Sequence, residues 1–187
     1  MVFAWLALGT ILCYIVPVSE EGGRTKMETR LIVLKLFLDE LGIPDNIDTV
    51  DDRVRVQKAV YLGQSSGVDL GYRFGWYVRG PYSPALARDY YSLAEAIASG
   101  DTDYREKELR EPIRSRLREI RPLLEVPNEI PLTKEGWLEL VASLHYLLRV
   151  RNHTWTDALK ILASEKPHLH SYANQAQAKL RDVLKSR

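Results

Sequence analysis

The strongest constraint on the fold is a change in the spacing of apolar residues within residues 53–84. In the first part they recur every three or four positions, which is the spacing of a helix with one buried face. These positions are Val56, Ala59, Val60 and Gly63. Between residues 71 and 80 apolar residues alternate with others, as in a strand. The segment therefore predicts a helix that is followed closely by a strand.

The alternation divides the predicted strand into two faces. The inward face contains Tyr72, Phe74, Trp76 and Val78, and the outward face contains Arg73, Gly75, Tyr77 and Arg79. Aromatic residues that alternate in a strand usually pack into a core, so we expect the first set inside and the second set exposed to a partner. Gly80 and Pro81 end the strand, and Ser83 caps a helix that starts at Pro84.

Most of the other apolar residues also recur at helical spacing. They predict helices over residues 28–41, 84–98, 134–151 and 168–184, others that start at Thr49 and Thr154, and one that contains Ile113, Leu117, Ile120 and Leu124. Residues 101–107 predict a charged linker, and residues 126–136, with two prolines, predict a short strand or an extended wing. The predicted fold class is mainly α (α+β): a compact helical domain with a short β-strand or hairpin, which could be winged-helix-like.

Composition places the chain among ordinary globular proteins. It has 187 residues, enough for one domain with its own core, and 27% of them are charged. The formal net charge is only +1, so any nucleic-acid site must be a local patch. The single cysteine, Cys13, excludes a disulfide framework and a thiolate metal cluster, which is consistent with a reducing compartment. We therefore expect a cytoplasmic protein.

The first nineteen residues carry no charged side chain, and Pro17 divides this apolar run. An uninterrupted stretch of roughly sixteen residues is marginal for a membrane span. Three alternatives remain open: a leader that is appended or wrongly assigned before a true start at Met27, a weak membrane anchor, or a helix that packs in the core or on a partner. We accordingly divide the chain into a leader and linker, 1–26, and a globular domain, 27–187, with its motif core at 53–100.

Two motifs in this core suggest a family. They are Gln57-Lys58-x-x-Tyr61-Leu62-x-Gln64 in the predicted helix and Gly80-Pro81-Tyr82-Ser83-Pro84 after the strand that contains Phe74 and Trp76. In this order they resemble the Panacea or SocA-like antitoxin-associated proteins and the similar YwgA-like uncharacterised proteins. The resemblance implies a mostly helical domain that binds a protein partner, often a toxin, in bacterial or phage conflict systems.

The predicted partner-binding surface lies around these motifs. Its residues are Lys58, Tyr61, Arg73, Trp76, Tyr77, Arg79, Pro81, Tyr82 and Ser83. Gln57 and Lys58 could form a polar patch beside the turn at residues 80–83. In the plainer alternative, Tyr61 packs its ring on the strand while Lys58 extends its amine into water.

An arginine row in the fourth predicted helix is the candidate nucleic-acid site. Arg110, Arg114, Arg118 and Arg121 follow one another at spacings of four, four and three, so they share a helix face that could contact phosphates. Glu106 lies four residues before Arg110, and Glu125 lies four residues after Arg121. Glu111 and Glu119 are interleaved with the arginines. The alternative is therefore a solvated face of ion pairs.

The sequence contains no recognisable catalytic or metal-binding pattern. The histidines lack zinc-site spacing, and there is no glycine-rich phosphate loop and no nucleophile motif. We expect no metal and no cofactor, although dispersed carboxylates leave an unrecognised nuclease as a minor alternative. The leading hypothesis is a non-enzymatic protein-binding module, antitoxin-like or phage-defence-associated. The alternative is a winged-helix-type DNA-binding transcriptional regulator.

Overall fold

A computed structural model describes residues 14–17 and 27–184, and within them the protein is mainly helical with short strands. The helices of the first half are α1 (Thr29–Leu41), α2 (Val50–Ser65), α3 (Pro84–Ala98) and α4 (Glu111–Leu124). Those of the second half are α5 (Lys134–His145), α6 (Trp155–Glu165), α7 (Pro167–His170) and α8 (Ala173–Leu184). A π-helical turn, Tyr146–Val150, continues α5. The predicted mainly α class with a small sheet is confirmed.

The strands form two antiparallel pairs. β1 (Ile15–Pro17) pairs with β4 (Lys107–Leu109), which follows a 3-10 turn at Asp103–Glu106. β2 (Gly75–Tyr77) pairs with β3 (Gly80–Tyr82), and Trp76 stands opposite Pro81. We call this second pair, with the residues that connect its strands, the hairpin.

Helices α2 and α5 form the centre of the domain and pack against each other. Every residue from Val56 to Gly63 of α2 is buried, and so is every residue from Trp137 to Leu144 of α5. Helices with an apolar stripe, such as α3 and α4, cover this centre and expose their other side. The central helices therefore carry their polar residues into the interior, where each one needs a partner.

Local signals in the sequence define the helix ends. Thr49 and Asp52 form a capping box at the start of α2: the Asp52 amide donates to Thr49 Oγ1 over 3.1 Å, and the Thr49 amide donates to Asp52 Oδ2 over 2.9 Å. Ser83 caps α3, with Pro84 in its first turn. Gly42 ends α1 in the left-handed conformation, at φ 67°. The predicted starts of α2 and α3 are confirmed.

The strand prediction for residues 71–80 was wrong in its extent. The chain reverses at Val78 and Arg79, and residues 80–82 return as the second strand of the hairpin. Because the alternation stops at the reversal, Val78 is not a core residue: it lies at the hairpin tip with 76% of its surface exposed. Tyr72 is buried as predicted, while Phe74 and Trp76 are partly buried.

Two connecting segments also differ from their predictions. Residues 101–107 were predicted to be a linker, but they contain the 3-10 turn and the first residue of β4. Residues 125–133, which include most of the predicted wing, contain no strand. Pairing with β1 decides the first case, and this long-range contact has no local signal.

The apolar run at the start of the chain lies mostly outside the described residues. Within it, Ile15–Pro17 forms β1, the Tyr14 carbonyl accepts a hydrogen bond from the Arg110 amide over 2.8 Å, and the Tyr14 hydroxyl donates to the Asp69 carbonyl over 3.0 Å. In the part of the chain that the structure describes, no helix is long and apolar enough to cross a membrane.

Gly63 offers a test of the packing between α1 and α2. A Cβ atom at this position would lie 2.4 Å from Cζ of Phe37, which is fully buried. We expect Gly63→Ala to lower the free energy of unfolding by about 1–3 kcal/mol through overpacking. This loss should exceed the gain of about 1 kcal/mol from helix propensity. Urea unfolding measures the difference.

Gly75→Ala is the matched control, because a Cβ there meets no atom within 4 Å. A Gly63→Ala protein as stable as the wild type would contradict the tight contact with Phe37.

Candidate functional site

The two sequence motifs of the core contact each other. The Gln57 side chain pairs twice with the backbone of Ser83: Nε2 donates to the carbonyl and Oε1 accepts from the amide, both over 2.9 Å. The next residue, Lys58, donates from Nζ to the Pro81 carbonyl over 2.7 Å. The polar residues of α2 therefore fix the backbone of β3 and the residue that follows it.

Lys58 differs from both interpretations of the sequence. Only 2% of its surface is exposed, so it neither contributes to a polar surface patch nor extends its amine into water. The reason is that α5 and the hairpin cover α2 where a surface helix would face solvent. Helical spacing alone could not reveal this cover.

A second buried lysine holds the other side of the hairpin. Lys166, which lies between α6 and α7 and is 1% exposed, donates to the Val78 carbonyl over 2.5 Å and to Glu139 Oε1 over 2.6 Å. The other oxygen of Glu139 accepts from Arg79 Nε over 2.7 Å. Arg79 Nη1 also donates to Asp51 over 2.7 Å. We call Lys58, Arg79, Glu139 and Lys166 the buried charge cluster.

The pKa values in this cluster follow from burial and from its excess of cations. Burial lowers the pKa of Lys58 to about 7; the Glu139 carboxylate opposes this shift, and the positive charges of Lys166 and Arg79 add to it. Burial alone would raise the pKa of Glu139, but hydrogen bonds from Lys166 and Arg79 hold it below its usual value. The single carboxylate of Glu139 thus offsets the positive charges of three basic groups, Lys58, Arg79 and Lys166.

Gly80 is required where the hairpin meets α5. Its φ is 82°, and a Cβ atom there would lie 2.4 Å from Oγ of Ser143. That hydroxyl is buried and has no hydrogen-bond partner among the described residues. A glycine at position 80 therefore allows close contact between the hairpin and the helix.

Aromatic rings fill the space beneath the hairpin. The Tyr61 and Phe74 rings meet edge to face with centroids 5.2 Å apart, which confirms that Tyr61 packs on the strand. The Tyr61 hydroxyl and His145 Nδ1 are hydrogen-bonded at 2.8 Å. The Trp76 ring stacks on Tyr146 at 5.8 Å, and its Nε1 donates to Glu165 over 2.9 Å. Burial, with a smaller effect of Arg149, lowers the pKa of His145 to about 4.

A pocket of about 270 Å³ lies between the hairpin, α2 and α3, and we call it the hairpin pocket. It is lined by Val50, Arg53, Val54, Gln57, Lys58, Tyr77, Val78, Arg79, Gly80, Tyr82, Tyr90 and Tyr91. Five large hydrophobic residues in the described part of the chain are strongly exposed. Four of them, Val50, Tyr77, Val78 and Tyr91, line this pocket. The pocket is therefore the centre of an exposed apolar surface.

The residues predicted to bind a partner separate into three groups. Arg73 and Tyr77 are exposed; Trp76, Arg79 and Tyr82 are half-buried; Lys58, Tyr61, Pro81 and Ser83 are buried. Lys58, Tyr77, Arg79 and Tyr82 come together at the hairpin pocket. Arg73 lies instead beside Tyr61 and Phe74, at another surface depression. The buried residues position the hairpin rather than offer their side chains to a partner.

Sequence reasoning missed several residues of this site. Val50, Tyr90 and Tyr91 line the pocket, and Glu139 and Lys166 belong to the buried charge cluster. Val50, directly after the capping Thr49, was one available signal. An apolar residue at the first position of a helix is seldom packed in the core, so it points to an exposed apolar site. Glu139 lies between apolar residues of α5, which was a signal for a buried, paired carboxylate.

The arginine row of α4 has the ion-paired arrangement: Glu111 pairs with Arg114 and Arg118, and the other partners differ from those expected. Arg114 contacts Glu40 of α1 at 3.1 Å and Glu108 of β4 at 3.5 Å. Arg118 contacts Glu40 at 3.8 Å, and it also pairs with Glu111. Glu125, expected near Arg121, pairs instead with Lys134. Glu40 and Glu108 become partners because α1 and β4 pack beside α4. Arg110 is exposed at the start of α4.

No family model, curated protein or solved structure matches this chain. Within residues 14–17 and 27–184, no group of three or more His, Cys, Asp and Glu side chains is arranged to hold a metal ion.

The lowered pKa of His145 predicts a loss of stability in acid. Its folded value, about 4, lies below the ordinary 6.5, so between these pH values the unfolded chain binds a proton that the folded protein does not. This contribution is complete above pH 6.5 and is lost as the pH falls toward 4. We expect the wild type to lose about 2 kcal/mol more than His145→Gln over this range. Urea unfolding at several pH values measures it.

The comparison with His145→Gln cancels the titration of the carboxylates that the two proteins share. Parallel stability curves for the two proteins would contradict a neutral, buried imidazole.

Lys58 predicts a dependence of the same sign, at more alkaline pH. Its folded pKa of about 7 lies below the ordinary 10.5, so the unfolded chain binds more protons between these values and stability rises with pH. We expect the wild type to gain about 2 kcal/mol relative to Lys58→Met between about pH 7 and about pH 9. Chemical unfolding at each pH gives the difference.

Lys160→Met is the control, because the Lys160 side chain is 74% exposed. A Lys58→Met difference that changed with pH no more than the Lys160→Met difference would contradict the lowered pKa of Lys58.

Proposed function

We propose that this chain is a non-enzymatic protein-binding module and that its partner docks at the hairpin pocket. The observation that carries the proposal is the concentration of exposed Val50, Tyr77, Val78 and Tyr91 around one concave site. Apolar surface with polar residues at its edge is typical of protein interaction sites. Tyrosine is also among the residues enriched where proteins bind each other.

The attachment of the hairpin supports the same function. Gln57, Lys58 and Lys166 each donate hydrogen bonds to its backbone or to the residue that follows it. A hairpin fixed in this way loses little conformational freedom when a partner binds, and this lowers the cost of association. The two motifs of the core therefore build a prepared recognition surface.

The contacts of the buried charge cluster favour binding over catalysis. Lys58, with its pKa of about 7, is the group that most resembles a reactive amine. Its Nζ is nevertheless bonded to the Pro81 carbonyl and buried beneath the hairpin. Lys166 and Glu139 are paired with each other. Each group thus has a role in holding the hairpin.

The biological role that we propose is that of an antitoxin-like or phage-defence-associated factor in the cytoplasm. This part rests on the resemblance of the two core motifs to the Panacea, SocA-like and YwgA-like proteins, and the partner would then be a toxin or another conflict protein. The contact between Gln57-Lys58 and Pro81-Ser83 supports the use of these motifs as one unit.

Transcriptional regulation through DNA binding is the second candidate, and we place it lower. It requires guanidinium groups that can contact phosphates. Arg114 and Arg118 are instead paired with Glu40 and Glu111, so DNA would have to displace these carboxylates. Arg110 and Arg121, which are exposed, would have to supply much of the contact.

Partner capture tests the proposal. We expect tagged wild-type chain, expressed in its source cells, to co-purify with a defined partner, and we expect Val78→Asp to lose that partner at least about tenfold. A carboxylate at the hairpin tip places charge in the middle of the apolar surface, where desolvation is costly. Quantitative mass spectrometry of the eluates measures the loss.

Val150→Asp is the matched control, since Val150 is 51% exposed but lies outside the hairpin pocket. Retention of the partner by Val78→Asp, or equal loss with Val150→Asp, would contradict docking at the pocket. For the antitoxin-like role, the captured partner should inhibit growth when expressed alone, and co-expression of this chain should relieve the inhibition. A captured partner that does not inhibit growth would be consistent with the binding function but would contradict the antitoxin-like role.

A further inference from the structure

The charges around the hairpin pocket are unequal. Among the described residues that line it, three are basic (Arg53, Lys58 and Arg79) and none is acidic. Asp51 at the edge and Glu139 beneath the hairpin are the carboxylates that contact Arg79. Glu139 also serves the buried Lys166. Lys58 is buried and bonded to the Pro81 carbonyl, so Arg53 and Arg79 supply the positive charge of the pocket, which favours a negatively charged ligand.

Arg53 is the clearest source of this excess. Its Nη1 donates to the carbonyls of Ile47 over 2.8 Å and Asp48 over 3.1 Å, and both acceptors are neutral. In the described part of the chain no carboxylate lies within ion-pair distance of it. The two hydrogen bonds hold the guanidinium at the pocket, and its charge remains available to a ligand.

Arg79 offers a second contact for an anion. Its bond to Glu139 is largely buried, because the Glu139 side chain is 4% exposed, whereas Asp51 on its other side is 62% exposed. An ion pair with so exposed a partner contributes little to stability. A carboxylate from a ligand can therefore take the place of Asp51 at small cost, while Glu139 keeps Arg79 in position.

The size and walls of the pocket define the rest of the ligand. At about 270 Å³ it is smaller than the pockets of roughly 300–1,000 Å³ that enclose whole small molecules. Its walls include Val50, Val54 and the rings of Tyr77 and Tyr91. Such a site suits one large apolar side chain that anchors a longer segment, with the rest of the segment on the surrounding surface.

We propose, resting on the protein-binding function above, that the hairpin pocket recognises an acidic segment of the partner. One apolar or aromatic side chain of the segment enters the pocket, and Asp or Glu side chains beside it contact Arg53 and Arg79. The basic groups select the charge of the segment, and the apolar walls supply most of the affinity.

Selection from a displayed library of random peptides on the purified full-length chain tests this inference. Recovered peptides should be enriched in Asp and Glu next to a large apolar residue, relative to the starting library. A synthetic copy of the best peptide, measured by fluorescence anisotropy, should bind Arg53→Gln and Tyr91→Ala about tenfold more weakly than wild type. Binding should also weaken with salt, because charge attraction contributes to it.

Arg73→Gln is the control, since it removes an exposed arginine of the same segment that does not line the pocket. Tyr91→Ala changes an exposed side chain, so its effect does not depend on the hydrogen bonds that Arg53 gives to its loop. Peptides without acidic enrichment, failure to enrich any peptide, or equal binding to Arg53→Gln and wild type would overturn the inference.

The result is separable from the test of the proposed function. If Val78→Asp loses the natural partner while selected peptides show no acidic preference, the binding function stands and the acidic ligand is wrong. If Val78→Asp keeps the natural partner, the docking site itself is wrong.

Discussion

The hairpin lies against two helices whose central turns are buried on all sides, and its backbone carbonyls must therefore find donors inside the protein. Gln57, Lys58 and Lys166 provide them. Burying two lysines is costly, and Glu139 offsets only part of that cost because it also pairs with Arg79. Removal of one donor would leave a carbonyl unsatisfied, which costs more than the bond contributes. This network fixes the path of the hairpin, and the pocket exists because that path is fixed.

The same network separates the two sides of the hairpin. Beneath it, Tyr61, Trp76 and Tyr146 pack together and contribute apolar burial. At its tip, Val78 stays in solvent although its carbonyl is held by Lys166. An apolar side chain kept exposed by a strongly held backbone lowers solubility and adds no folding energy. Such a cost is typical of a surface that is used in recognition.

The helices and their caps could be predicted from the sequence because their signals are local: Thr49 with Asp52, Ser83 with Pro84, and Gly42. The first part of the hairpin was also visible as alternation, but its reversal at Val78 was not. What sequence reasoning missed depends on contacts between distant segments. Lys58 is buried because α5 and the hairpin cover it, and Arg114 pairs with Glu40, seventy-four residues away, as well as with Glu111 in its own helix. The pocket likewise combines α2, α3 and the hairpin, so no single segment of the sequence predicts it.

The pairing of β1 with β4 protects the edge of a short strand. Ile15–Pro17 occupies one edge of Lys107–Leu109 and satisfies its backbone groups. Without β1, this edge of β4 would be open to water. Open edges accept strands from neighbouring molecules. β1 therefore closes, within one molecule, an edge that would otherwise accept a strand from another.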